Sequence, residues 1–347
     1  MEFALFNLMS PNHADETPAE VMATTVEAVQ LAEATGFDMA WFAEHHFSSA
    51  SICASPLTMV AHCAALTRRI RLAPGVVVLP LHHPLRVVQE IGLVGLMAPG
   101  RLALGLGSGH QPHEFRTYGI DLAARTRILQ EGWDILEQGL ATGRVAYEGE
   151  HYRIPDTPIC LPAAMPPLYL AGGDPALIGR AARSGATLLV SPGLRWGDAA
   201  RPVKDKVEAP YRAGGFTGAD VLLGIQRYVF VTDDPAEARR AAEGVLNLSR
   251  NTLALRLEDP PRDGALMRPL PYEGEPSIEW LLEHAPIGPA DKVTRIIADD
   301  IRALRPSHLS LYCGFSGLGK GPTLAAIERL GRDVLPALRR GAPARAA

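Results

Sequence analysis

The residues with the most chemistry in this 347-residue chain come in short clusters. Glu44-His45-His46-Phe47 is one, and Pro80-Leu81-His82-His83-Pro84 is a second. Gly105-Leu106-Gly107-Ser108-Gly109-His110 and Ala171-Gly172-Gly173-Asp174 are glycine-rich, and Ser191-Pro192 and Cys313-Gly314-Phe315 complete the set. Imidazoles beside a carboxylate raise the question of a metal first. Neighbouring side chains of an extended chain point to opposite sides, so His45-His46 and His82-His83 each offer one inward ligand. The first apolar run, FALFNLM, has no His-x-His pair either. The expectation is no metal. Gly105-x-Gly107-x-Gly109 lacks the third-glycine spacing of a dinucleotide fingerprint, and GLGK at 317–320 does not satisfy the phosphate-loop pattern. Glycines at such points let a flat ring or a phosphate approach the backbone. Gly172-Gly173-Asp174-Pro175 ends a strand and opens a helix, where amides can hold a phosphate; a tight turn is the equal alternative.

Each cluster follows a short apolar run. Strands are predicted at 2–9, 37–44, 70–79, 102–106, 168–170, 187–190, 221–231 and 308–312. Helical spacing fills 18–35, 56–67, 84–97, 123–142, 175–183, 199–213, 235–248 and 323–338. Strands alternating with helices mean βαβ units and a parallel sheet, and eight units suggest a closed (β/α)8 TIM barrel in one domain, 1–347. The clusters then share the carboxyl ends of the strands, where barrel enzymes work. Two insertions break the rhythm. One, 144–167, reads as a hairpin after strand four. The other, 252–289, precedes strand eight; it holds DPPRDG, RPLPYEGEP and a helical 278–283. Its Pro and Gly content argues against a core element, while Trp280, Leu281 and Leu282 offer an apolar face, so an active-site lid is expected.

Composition narrows the function class. Lys plus Arg is 34 against 38 Asp plus Glu, a net charge of −4, which disfavours a nucleic-acid partner despite the short basic tail Arg339, Arg340 and Arg345. Apolar residues make 47% and charged residues 21%, the balance of an ordinary globular domain rather than a disordered one. The longest apolar stretches, such as 76–81, fall far short of the ~20 residues a membrane helix needs. Glu2 stands where a signal peptide carries a basic residue. Cys53, Cys63, Cys160 and Cys313 show no paired spacing and read as buried thiols of a reducing, cytoplasmic compartment.

WFAEHHF (41–47), RIRLAPGVVVLPLHHPLRVVQE (69–90), GRLALGLGSGH (100–110) and PPLYLAGGDPALIGRAARSGA (166–186) together resemble the bacterial luciferase-like flavin monooxygenases, with spacing close to the luciferase α subunit. PIGPADKV (286–293), LSLYCGFSGLGK and DVLPAL extend the likeness towards the end of the chain. The resemblance implies a barrel that binds reduced FMN (FMNH2) at the top of its strands, uses O2 to form a flavin hydroperoxide, and takes reduced flavin from a separate reductase. It implies His45 as catalytic acid/base, a role that suits an imidazole with an unperturbed pKa of about 6.5. Glu44 then orients a histidine or caps a turn. Gly75-Val76 falls where the family has a non-prolyl cis peptide under the flavin ring. Gly107, Ser108, Ala171, Gly172 and Gly173 fall on the flavin and its phosphate. Luciferase α subunits have Cys-Arg where Gly107-Ser108 stands, Glu-Ser and a later Thr at Gly172, Gly173 and Leu177, and Trp at Pro192. The phosphate is thus expected on backbone amides plus Ser108, and neither light emission nor a long-chain aldehyde is supported. A deazaflavin (F420)-dependent oxidoreductase and a non-catalytic subunit like the luciferase β chain are the rivals; Glu-His-His rather than Asp-His after strand two favours FMN. Phe6, Leu8, Ser108 and Phe315 suggest a small hydrophobic substrate. Helices 56–67 and 84–97 are apolar on more than one face, and with the resemblance they predict a homodimer.

Overall fold

In the computed structural model, which describes residues 1–11, 15–161 and 163–341, the parallel barrel is present. Arg345 of the basic tail lies outside these residues. The barrel strands are β1 (Glu2–Asn7), β2 (Met39–Phe42), β3 (Arg71–Pro74), β4 (Leu104–Gly107), β5 (Leu168–Ala171), β6 (Thr187–Val190), β7 (Leu223–Tyr228) and β8 (His308–Tyr312). Around the ring they run β3-β2-β1-β8-β7-β6-β5-β4. A short piece, Val77–Val78, continues β3 and closes the ring by pairing Val77 with Leu106 and Val78 with Gly107.

Strand alternation sorts the side chains. Phe3, Leu5, Ala40, Phe42, Leu72, Leu309 and Leu311 face the helices, while Ala4, Met39, Trp41, Ala73 and Tyr169 face the barrel interior. Trp41 fills that interior: its Nε1 donates to His308 Nε2 at 2.9 Å, and its ring stands edge-on to Tyr169 at 4.8 Å. Gly105 is required beside it, because a Cβ there would lie 2.3 Å from the Pro74 carbonyl oxygen.

Helices Pro18–Thr35, Pro84–Met97 and Pro175–Arg183 match the expected bounds, each opened by a proline preset for the first turn. Three departures concern the end of the chain and its connections. The helix after β7 spans Pro235–Ala254 and so runs through the expected start of the second insertion. A further helix, Ala290–Leu304, precedes β8; Val293, Ile296, Ile297, Ile301 and Leu304 give it helical spacing, but Pro286 and Pro289 make its approach read as irregular. A short helix, Pro112–Tyr118, follows β4. The hairpin after strand four is present as Arg144–Glu148 paired with Arg153–Pro158. Cys160 is exposed, contrary to the expectation of four buried thiols, because it lies past that surface hairpin rather than on a barrel element. Among the described residues no helix is long and apolar enough to cross a membrane.

Candidate functional site

The strand-end clusters converge. Glu44 follows β2 and is buried; its Oε1 accepts from His46 Nε2 at 2.9 Å and from His82 Nε2 at 2.7 Å, and its Oε2 accepts from the Val78 amide at 3.1 Å. Two Nε2–H groups on one oxygen leave Nδ1 of His46 as an acceptor, and the Tyr118 hydroxyl fills it at 3.1 Å. Burial alone would push the Glu44 carboxyl up, but the hydrogen bonds from His46 and His82 hold it below the usual carboxylate range. Burial works against His82 too, and its bond to Glu44 keeps its pKa above the ordinary value. Glu44 therefore orients histidines, as its position suggests, but they are His46 and His82 rather than His45. The three groups have donor atoms within 4.8 Å of one another, a set a divalent cation could use, and each His-His pair contributes one member to it. Here the hydrogen bonds already satisfy the carboxylate.

The pair has a pH signature with a definite sign. Glu44's contribution to stability is present above its ordinary 4.5 and is lost as pH falls through the depressed value. His82's contribution is complete below 6.5 and is lost as pH rises through the raised value. The pair stabilises the fold most between those two values. Melting temperatures of the parent and His82→Gln, followed from about pH 5 to about pH 9, are expected to converge as pH rises. A gap that widens with pH contradicts the assignment.

His45 has separate support. Gln111 Nε2 donates to its Nδ1 at 2.7 Å, so the ring proton sits on Nε2, and Glu114 Oε1 stands 3.6 Å from the same Nδ1. Glu114 also accepts from the His46 amide at 2.7 Å, fixing the turn that carries both histidines. Gln111 is buried, and its Oε1 has no partner. The His45 side chain remains 21% exposed, enough for a ligand to reach it. His110 is nearby and exposed; loss of solvation around its ring, then His45, Arg256 and Arg125, push its pKa down to about 4. It is neutral at physiological pH. Gln111, Glu114 and Tyr118 were not among the expected site residues; their only signal is the HQPHEFRTY run (110–118) after β4.

The glycine residues divide into two groups. The peptide Gly75-Val76 is cis, as the resemblance implies. A Cβ on Gly107 would meet Val76 Cγ2 at 2.5 Å, so Gly107 is there to let Val76 pack against β4. Gly107 is registered against Ala171 at the end of β5, with Ser108 half-buried just beyond. Gly172 has φ +155°, and a Cβ on Gly173 would meet nothing within 4 Å. The backbone there is open ground for a ligand. The helix that follows is already capped, since Asp174 Oδ1 accepts from the Ala176 amide at 2.9 Å. A phosphate at this turn would meet Gly172, Gly173 and Ser108 rather than a free helix end.

A cavity of about 750 Å³ opens beyond the ends of β6 and β7. The expected lid lines it through Tyr272, Gly274, Pro276, Ser277 and Trp280. Phe315, expected in the pocket wall, packs with Phe230 and Tyr312 under the helix Pro235–Ala254 and lines a separate cavity of about 180 Å³ beside Ser49, Leu266 and Met267 rather than the larger one.

Residues 1–303 match one protein family, described as luciferase-like monooxygenase. The chain belongs to that family. An uncharacterised protein of Sinorhizobium fredii is 32% identical to this luciferase-like protein over 344 residues, 98% of both chains. The oxygenase component of a flavin-dependent trigonelline monooxygenase from Acinetobacter baylyi is 29% identical over 250 residues, 70% of this chain and 68% of that one. An alkanal monooxygenase alpha chain from the Kryptophanaron alfredi symbiont is 29% identical over 179 residues, 51% and 48% of the two chains. Relatives of the luciferase-like protein thus include a flavin-dependent monooxygenase and other monooxygenases, and it is an enzyme of that kind. Among solved structures, the oxygenating constituent of 3,6-diketocamphane monooxygenase from Pseudomonas putida, in complex with FMN, aligns with TM-score 0.77 at 19% identity over 97% of this chain and 98% of its own. An F420-dependent secondary alcohol dehydrogenase aligns with TM-score 0.73 at 17% identity over 97% and 99%. At these identities the two show the barrel fold alone.

Proposed function

We propose that this enzyme is an FMNH2- and O2-dependent monooxygenase of a small hydrophobic organic molecule, supplied with reduced flavin by a separate reductase. The observation that carries the reading is His45, held at Nδ1 by Gln111 at the carboxyl ends of the strands, with no hydrogen-bond partner on Nε2 among the described residues. Reduced FMN would supply the electrons that activate O2. His45 holds or delivers a proton at Nε2, and the buried Glu44, bonded to His46 and to the partly exposed His82, fixes the turn beneath it. Val76 and Gly107 would present a flat face to the flavin ring, and Ser108, Gly172 and Gly173 would take its phosphate. The FMN complex of the diketocamphane enzyme supports the choice of flavin. The deazaflavin reading rests on the alcohol dehydrogenase, which shares the fold. Anaerobic titration with FMNH2 and with reduced F420 tests the choice: tighter binding of FMNH2 is expected, and binding of F420 alone overturns it.

The insertion supports a lid. Arg262 donates to the Phe47 carbonyl at 3.0 Å, Met267 N donates to Ser49 Oγ at 2.9 Å, and Ser49 N donates to the Ala265 carbonyl at 2.7 Å. The hairpin 262–267 therefore lies on the loop that follows His45. Its covering part is narrower than 252–289: residues 252–254 are helical, and Leu281 is buried against the same helix's cluster. A cover keeps water from the reacting centre. Replacing 257–276 with a short Gly linker is expected to leave the barrel folded and FMN bound. The reoxidation of bound FMNH2 by O2 should become several-fold faster, and an unchanged rate sinks the lid.

Helices Pro56–Leu66 and Pro84–Met97 expose Leu66, Leu93, Leu96 and Met97, with Leu96 68% accessible. This patch supports a homodimer. Sedimentation at micromolar protein is expected to give a dimer and Leu96→Glu a monomer; a monomeric parent refutes it.

A further inference from the structure

The cavity beyond β6 and β7 carries a charge its neighbours do not balance. Arg195 and Arg256 line it, and no Asp or Glu does. Among the described residues neither arginine has a carboxylate partner; Arg195 reaches only the Pro192 carbonyl, at 3.4 Å. Many other arginines of this net-acidic chain are in ion pairs, for example Arg180 with Asp134 and Glu137. The remaining walls combine aromatic and aliphatic side chains, Tyr228, Tyr272, Trp280 and Leu194 among them, with the hydroxyls of Ser191, Ser249, Thr252 and Ser277. Arg195 and Arg256 are both solvent-exposed and line a largely apolar chamber whose lining residues supply no counter-charge, and such a pair forms an anion site at the chamber's rim, because a guanidinium fork matches carboxylate, sulfonate or phosphate oxygens. The charge extends towards the chemistry, since Arg256 and Arg125 lie within electrostatic reach of His110, which neighbours His45.

We propose that the cavity takes an organic anion with an apolar, ring-bearing body, its anionic head held by Arg195 and Arg256. This names the substrate class and rests on the monooxygenase reading above. The lid contributes part of the chamber, so the same segment that covers His45 closes over the substrate's body. The flavin phosphate is a second source of the same chemistry, and the test separates the two.

The probes are 8-anilinonaphthalene-1-sulfonate and its uncharged counterpart N-phenyl-1-naphthylamine, titrated by fluorescence into the full chain, flavin-free and saturated with oxidised FMN. The sulfonate is expected to bind at least about tenfold more tightly than the neutral dye. Arg195→Gln and Arg256→Gln should each remove most of that preference and leave the neutral dye within about twofold. Affinity for FMN relative to riboflavin should be unchanged in both variants. Equal binding of the two dyes, no binding of either, or a preference that survives both substitutions overturns the proposal. So does a selective loss of FMN affinity against riboflavin, which assigns the arginines to the flavin phosphate. Dye binding needs neither reduced flavin nor O2, so a chain that fails to oxidise FMNH2 sinks the monooxygenase reading without touching this result.

Discussion

His45→Ala is expected to lower turnover by about 10²-fold or more, the range for losing a general acid/base and about 2.7 kcal/mol of transition-state stabilisation. Affinity for reduced flavin should stay within several-fold, because His45 makes its bonds to Gln111 and the Glu114 region and not to the Glu44 network that carries the turn. Gln111→Leu should move activity the same way to a smaller extent. It removes the donor that fixes the His45 tautomer while leaving the imidazole in place. Its effect should therefore appear as a shifted pH profile rather than a uniform loss. Coupled oxygenation that is unchanged in His45→Ala removes His45 from the mechanism.

Asp300→Ala is expected to be the most destabilising of the substitutions considered. Arg227 of β7 and Asp300 of the helix Ala290–Leu304 are both fully buried, with Arg227 Nε 2.7 Å and Nη2 2.9 Å from the two carboxylate oxygens. Asp300 also accepts from the Gly197 amide at 2.6 Å, tying the segment after β6 to the barrel. Burial pushes the Asp300 carboxyl up and the Arg227 guanidinium down, so desolvation opposes both charges. Arg227 Nη1 is buried without a partner besides. Removing Asp300 leaves the guanidinium uncompensated at a cost of about 3–5 kcal/mol. For a chain of this size that corresponds to a fall in Tm of roughly 4–7 °C. The double variant Arg227→Met/Asp300→Leu should recover much of the loss, since a buried pair gains little over apolar residues of similar volume. A melt unchanged in Asp300→Ala contradicts the ion pair's place in the fold.

The strand-end clusters were legible because barrel strands are short and their carboxyl ends interrupt an apolar rhythm with polar and glycine residues. The first strand was legible from its run, while which of its residues face the helices (Phe3, Leu5) and which the interior (Ala4) came from the structure; the Gly75-Val76 position followed from the family resemblance. What connects the clusters was not legible. His82 meets Glu44 across 38 residues, and Gln111 meets His45 across 66, contacts that strand pairing in the barrel creates. The phosphate reading of the Gly172-Gly173 turn changed because Asp174 caps its own helix, a local competition that a glycine pattern does not reveal. The helix Ala290–Leu304 was hidden by the prolines before it, although its apolar face has regular spacing. The long Pro235–Ala254 helix outran its expected end because Asn251 and Thr252, poor helix formers, are carried by packing; Ala254 and Leu255 bury against Met267 and Ala50.

On the proposed function, this barrel binds reduced FMN and governs its reaction with O2. The most direct measurement mixes the anaerobic enzyme–FMNH2 complex rapidly with oxygenated buffer and follows flavin reoxidation beside free FMNH2. Reoxidation is expected to be clearly slower on the enzyme than in solution, with the slow phase shortened when residues 257–276 are replaced. Reoxidation identical to that of free FMNH2, with reduced F420 bound tightly and left untouched by O2, would contradict it.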